Sequence, residues 1–338
     1  MANHKRGKHS FALENPPVIT AWASIAGKKE SEGPLSHTFD MTSNDTLFGQ
    51  RTWEQAEKHM QQLALETLAT KANLSKRDFD LVYSGDLLNQ CIGSSFSLKN
   101  QKTPHLGLYG ACSTMAESLL LASMTVGGGF ADRVVAMTSS HFASSERQYR
   151  FPLGYGGQRT PTAQWTVTGS GAALVEPEGR GPKIESCTIG TVVDLGIKDA
   201  NNMGAAMAPA AFATIKSHFT DLHTGPQDFD LIVTGDLGQL GSDLLLQLAR
   251  DEGINLGGKL TDCGTMVFDL QSQDVHSGGS GCGCSAIVLC GELLHKLRCG
   301  KLKKILFCGT GALLSPTSTQ QGLPIAGVCH AVCITGGR

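Results

Sequence analysis

A thiol at the start of a helix is the first feature of this sequence with chemistry in it. Gly110-Ala-Cys112-Ser-Thr114 runs into an apolar stretch from Met115 to Thr125. Unpaired backbone N–H groups and the helix dipole converge at such a position, and both favour a thiolate, the nucleophilic form of cysteine. Ser113 shares the turn, whose N–H groups could equally receive an anion. The plainer reading of the same residues is a small buried thiol in a tight turn, with Cys112 lining a pocket and not reacting.

A second cluster follows in Ser144-Ser-Glu-Arg147-Gln-Tyr-Arg150-Phe-Pro152, with His141 just before it and Tyr155 just after. An arginine fork meets a carboxylate in two parallel hydrogen bonds, so Arg147 and Arg150 are candidate anion receptors. The competing reading pairs them with Glu146 or Asp132 on a solvated loop. Asp86 and Asp236 each follow a glycine at a strand exit. There a carboxylate either braces its loop through backbone N–H groups or ligates calcium, and its presence at both exits favours bracing. Cys282-Gly-Cys284, with Cys263, Cys290 and Cys299, lacks the paired spacing of a structural zinc site. The glycines at 127–129 and 278–279 form no complete dinucleotide fingerprint, and there is no P-loop. The sequence therefore calls for no metal and no cofactor.

The elements that position these residues come in two copies. Asp78-Phe-Asp-Leu-Val-Tyr-Ser-Gly-Asp86 reappears as Asp228-Phe-Asp-Leu-Ile-Val-Thr-Gly-Asp236, an offset of 228 − 78 = 150. Each copy reads as a turn, a buried strand (Leu81 to Tyr83, Leu231 to Val233) and a Gly-Asp exit, after helices expected over Trp53 to Thr70 and Ala211 to Leu222. A second pair follows: the Gly110 turn with a strand from Arg133 to Thr138, and Gly281-Cys-Gly-Cys-Ser with a strand from Lys304 to Cys308. Ser139 to Gln164 and Gly257 to Gly279 read as inserts, where ligand sites concentrate. Strands alternating with helices predict an α/β fold of mixed, mostly parallel sheets covered on both faces. The halves, 12–180 and 181–338, have no Pro/Ser-rich linker between them beyond Pro177-Glu-Gly-Arg-Gly-Pro182. They read as one unit spanning 1–338.

The bulk composition removes several classes. The 338 residues are 41% hydrophobic and carry a formal charge of -2, enough apolar residue for a large core and no basic field for nucleic acid. Eleven cysteines, after a start that lacks a secretory pattern, point to reduced thiols in a cytosolic-type compartment. The greasiest stretch, Met115 to Phe130, is interrupted by Glu117 and three glycines, and a spanning helix needs about 18 apolar residues in a row.

Two repeated halves with a cysteine at a helix start after a Gly-Ala turn resemble the thiolase and beta-ketoacyl synthase superfamily. That resemblance implies a five-layered αβαβα fold, pairing as a homodimer through the first-half sheet edge, and Cys112 in the nucleophile position. It also implies catalytic partners that this chain lacks in part. The loop Thr234-Gly-Asp-Leu-Gly-Gln-Leu-Gly241 holds neither the histidine nor the asparagine expected there. His276 and Cys333 match the superfamily's remaining motifs only in part, and a rival reading is an acyltransferase using Cys112 with those two. More specific segments resemble the stage V sporulation protein AD family: Gly85-Asp-Leu-Leu-Asn-Gln90, Thr138-Ser-Ser-His141, Glu146 to Pro152, Tyr155-Gly-Gly-Gln158 and Gly309-Thr-Gly-Ala-Leu-Leu-Ser-Pro-Thr317 among them. This resemblance implies a non-enzymatic protein that binds dipicolinate (pyridine-2,6-dicarboxylate), free or as its calcium chelate. It further implies membrane-protein partners from the same sporulation operon, and a place in the forespore or spore, peripheral to the inner membrane. The ligand-binding residues expected are Cys112, Ser113, Asp86, His141, Arg147, Arg150, Tyr155 and His276. Arg150→Ala is expected to weaken dipicolinate binding by about 2 kcal/mol if its fork holds a desolvated carboxylate.

Overall fold

The computed structural model describes residues 4–149 and 159–337. Its sheet is built from two five-stranded units of the same order. The first contains β1 (Val18–Ala26), β2 (Leu81–Gly85), β3 (His105–Gly107), β4 (Val134–Ser140) and β5 (Gly169–Glu176), hydrogen-bonded as β3-β2-β4-β5-β1. The second contains β6 (Lys183–Thr188), β7 (Leu231–Thr234), β8 (Leu260–Asp262), β9 (Lys304–Leu313) and β10 (Ala326–Thr335), in the order β8-β7-β9-β10-β6. Within each unit only β5 or β10 runs against the rest. The units meet edge to edge at a single residue pair, Lys183 with Val18.

Seven helices matter for the site: α1 (Trp53–Ala72), α2 (Ile92–Leu98), α3 (Thr114–Gly127), α4 (Phe142–Tyr149), α5 (Met203–Leu222), α6 (Gly238–Asp251) and α7 (Cys282–Val288). α1 covers the outer face of the first unit on β1, β4 and β5, and α5 does the same for the second on β6, β9 and β10. Between the units lie α3, which touches β2 and β4 on one side and β9 and β10 on the other, and α7, which rests on β1, β4 and β5. The layers therefore run helix, sheet, helix, sheet, helix, in agreement with the expected fold. Among the described residues no helix is long and apolar enough to cross a membrane.

The repeated Asp-Phe-Asp motif has a mechanical reason. Asp78 and Asp228 accept from the N–H groups of Ser75 and Gly225, closing a short turn before each strand. Asp80 accepts from Asp132 and Arg133 N–H, and Asp230 from Lys303 and Lys304 N–H, tying β2 to β4 and β7 to β9. Phe79 and Phe229 between them are buried in the core. α1 is capped by Thr52 Oγ1, which accepts from Gln55 N–H at 3.3 Å, and ends at Asn73 in the left-handed region.

Two expectations change. α5 begins at Met203 under an Asn202 cap, eight residues before Ala211, although Pro209 lies inside it. The buried face of Ala206, Met207, Ala210 and Ala211 outweighs the one hydrogen bond that proline forfeits. The stretch from Gly257 to Gly279, read as an insert, contains β8, the counterpart of β3. Three residues with one apolar side chain among them gave no strand period to read.

Candidate functional site

A narrow pocket of about 530 Å³, mouth included, opens where the parallel strands of both units end. Cys112, Tyr109, Tyr149, Ser145 and Glu146 line it from the first half, and Met203, Ser280, Ala312 and Leu314 from the second. A two-residue parallel ladder, Trp165–Thr166 with Gly279–Ser280, holds the two loop regions together and sets Thr166 beside Ser280 in the wall. Pockets at strand C-termini are a general property of α/β sheets.

Cys112 forms the floor. Ala111 before it adopts φ 50°, a left-handed conformation unusual for a residue with a side chain, and turns the chain into α3. The thiol packs against Leu87 and against Cys282, which begins the equivalent helix of the second half. Beside it lies the carboxyl of Asp236, which accepts from Thr310 Oγ1 at 2.7 Å and from Gly281 N–H at 2.9 Å. Burial, opposed by those hydrogen bonds, pushes Asp236 up to about 7. Burial first, and then the Asp236 charge and the second thiol, push Cys112 well above its ordinary value. The expectation of a thiolate is thereby corrected. A helix start favours the thiolate, but here burial and a neighbouring carboxyl oppose it. Two of the turn's own N–H groups are also committed, Ser113 N–H to Gly110 O at 3.0 Å and Thr114 N–H to Ala111 O at 3.4 Å.

The remaining candidates from the sequence are distributed around the pocket more than in it. Ser113 Oγ donates to Gly110 O at 2.7 Å and braces the turn. Asp86, the repeat counterpart of Asp236, accepts from Ser94 N–H and Oγ at 2.7 and 2.6 Å and from Leu88 N–H at 2.9 Å, so it holds its own loop. His141 is buried with Nε2 donating to Thr46 O at 2.8 Å and Nδ1 accepting from Ala143 N–H, and burial lowers its pKa. Its ring serves the backbone. Arg147 pairs with Glu54 and sits over the Trp53 ring on the outer surface, away from the pocket lining. His276 does not line the pocket either and faces Asp274 at 3.6 Å. Cys333 is buried in β10 with its sulfur toward Glu185 at 4.0 Å. The rival acyltransferase therefore lacks both partners at Cys112. Arg150 and Tyr155 lie outside the described residues.

Six polar residues of the lining are absent from the sequence-derived set: Tyr109, Ser145, Glu146, Tyr149, Thr166 and Ser280. Tyr149 OH donates to Leu87 O at 2.6 Å, so the 2.9 Å contact between the two phenols is a donation from Tyr109. Ser145 lies one helical turn before Tyr149 on the same face of α4. That four-residue spacing was the signal available, within a segment whose arginines are the candidate anion receptors. Cys263, Cys284 and Cys290 are buried as free thiols, and Cys299 is exposed.

Known proteins place this arrangement. Solved structures of the same architecture include 3-oxoacyl-[acyl-carrier-protein] synthase III from Aquifex aeolicus VF5, 14% identical over 94% of this chain and 99% of that one, with a TM-score of 0.59. Cerulenin-bound OleA of Xanthomonas campestris is 14% identical, covering 98% of each chain, with a TM-score of 0.58. At such identities the likeness establishes a thiolase-like fold and no more. Stage V sporulation protein AD of Bacillus subtilis (strain 168) is 44% identical over 326 residues, 96% of each chain. Residues 7–335 also match the family described as stage V sporulation protein AD, and with a match of that extent the chain belongs to this family of sporulation proteins.

Proposed function

We propose that the chain binds dipicolinate, free or as its calcium chelate, in the pocket above Cys112, and that it performs no acyl chemistry there. The observation that carries this reading is the Asp236 carboxyl beside the Cys112 thiol. A condensing enzyme needs a thiolate together with groups that move a proton and stabilise an oxyanion, and losing one such donor costs about 10²- to 10³-fold in rate. Here burial, and then the acid that the second-half loop brings, oppose the thiolate. A flat aromatic acid suits the apolar walls of Leu87, Met203 and Leu314, and its carboxylates suit the hydroxyls of Ser145, Thr166 and Ser280. No lysine, arginine or histidine is among the described lining residues. Arg150 is therefore the sequence's candidate for the charge partner, with calcium carried by the ligand as the alternative source of positive charge.

Membership in a sporulation family supports a role in moving this ligand into the developing spore and out at germination. That role would be exercised with membrane proteins of the same operon, from a position peripheral to the spore inner membrane. A homodimer is supported by the apolar edge of the first unit, where Leu106 on β3 and Phe96 and Ile92 on α2 are exposed. Calorimetric titration with dipicolinate, with and without calcium and with benzoate and an acyl-CoA as controls, tests the reading. One-site heat with dipicolinate is expected. Silence there, with an acyl adduct on Cys112 after acyl-CoA, would restore the acyltransferase.

A further inference from the structure

We infer that the Ser145 hydroxyl is a ligand-binding donor that receives a carboxylate oxygen of the acid bound above Cys112, an inference that rests on the dipicolinate reading. Ser145 is 3% exposed and lines the pocket, yet its Oγ has neither a hydrogen-bond partner nor access to water. Buried hydroxyls in folded proteins are nearly always paired. The serines around it follow that rule: Ser144 donates to Glu57 at 2.7 Å, Ser139 to Glu57 at 3.2 Å, and Ser140 to Val167 O at 2.7 Å. The exception therefore sits on the wall of the pocket that Cys112 lines.

The neighbouring hydroxyls sharpen this assignment. Tyr149 gives its proton to Leu87 O and Tyr109 gives its proton to Tyr149, so neither phenol has one left for an occupant. Of these three hydroxyls, Ser145 alone can give an anion a hydrogen bond. A carboxylate only accepts, and its hydrogen bonds are stronger than those of a neutral group. A bare aromatic ring, with no acceptor atom, would leave the hydroxyl unsatisfied, whereas a carboxylate oxygen satisfies it.

Titration calorimetry of wild type, Ser145→Ala and Ser145→Cys with dipicolinate, paired with thermal unfolding of each ligand-free protein, tests the inference. Ser145→Ala is expected to raise the dipicolinate Kd about 10- to 100-fold, as for loss of a hydrogen bond to a charged group. Ser145→Cys, with a weak donor, should fall between. Ligand-free stability should be unchanged or slightly higher, because an unpaired buried hydroxyl has been removed. Unchanged affinity in Ser145→Ala overturns the inference and leaves the dipicolinate reading standing. Affinity lost together with ligand-free stability assigns Ser145 a structural role and overturns it as well. Absence of dipicolinate heat in the wild type removes both.

Discussion

Replacing Asp236 by asparagine should wake the Cys112 thiol. The substitution keeps the size of the side chain and removes the charge; of the two hydrogen bonds, from Thr310 Oγ1 to Oδ1 and from Gly281 N–H to Oδ2, its single amide oxygen can keep one. A charge within about 4–6 Å shifts a neighbouring pKa by about 1–3 units. Asp236 titrates at about 7, so its anion opposes the thiolate most fully above that pH. At pH 8.5 the thiolate fraction of Cys112 should therefore rise about 10-fold or more in the variant, while burial continues to hold it below that of an exposed cysteine. Peptide-resolved mass spectrometry of iodoacetamide labelling over time would read this directly. Cys299, the exposed cysteine, serves as the internal standard and should label at the same rate in both proteins. A Cys112 rate unchanged by Asp236→Asn, with Cys299 constant, would mean that burial alone silences the thiol and would falsify the role given to the carboxyl.

Other outcomes follow from the same geometry. Glu30 is buried, with one carboxyl oxygen accepting from Thr168 N–H at 3.0 Å and the other unpaired, and its pKa is pushed up to about 7. The folded state thus holds a proton that the unfolded chain releases near pH 4.5, so stability is fullest below that pH and falls as pH rises toward 7. Urea midpoints across pH 4 to 8 should flatten in Glu30→Gln, and a slope equal to wild type would refute the assignment. Phe79→Ala and Phe229→Ala should each cost about 3–5 kcal/mol in unfolding free energy, because each empties a filled core position of the repeat. Arg147→Ala should leave dipicolinate affinity unchanged and cost at most about 1 kcal/mol of stability, since it removes an exposed ion pair with Glu54. If the edge of the first unit is the dimer contact, Leu106→Glu should halve the mass seen by light scattering.

The fold was legible because its signals are local. Asp78-Phe-Asp80 and Asp228-Phe-Asp230 do the same backbone work in each half, so the repeat on the page is the repeat in space. The site was legible only in outline. Asp86 and Asp236 are indistinguishable by sequence, each following a glycine at a strand end. Their fates separate because Asp86 meets the N-terminus of α2, whereas Asp236 reaches across to the other half and its cysteine. No periodicity encodes that crossing. Arg147 and His141 misled for a related reason: Arg147 follows the pocket residue Glu146 and His141 lies four residues before Ser145, but α4 points Arg147 outward and His141 spends its ring on a loop carbonyl.

The helices of the middle layer have a consequence for how the chain must be made. α7, from the second half, supplies cover for β1, β4 and β5 of the first, while α3 touches the sheets of both. A ribosome that has released only the first 180 residues has therefore exposed a sheet whose lid has not been synthesised. The nascent half must wait, sticky and incomplete, for contacts more than a hundred residues downstream. Such non-local assembly is slow and prone to aggregation. Two separately expressed halves should accordingly recover a native protein only when refolded together.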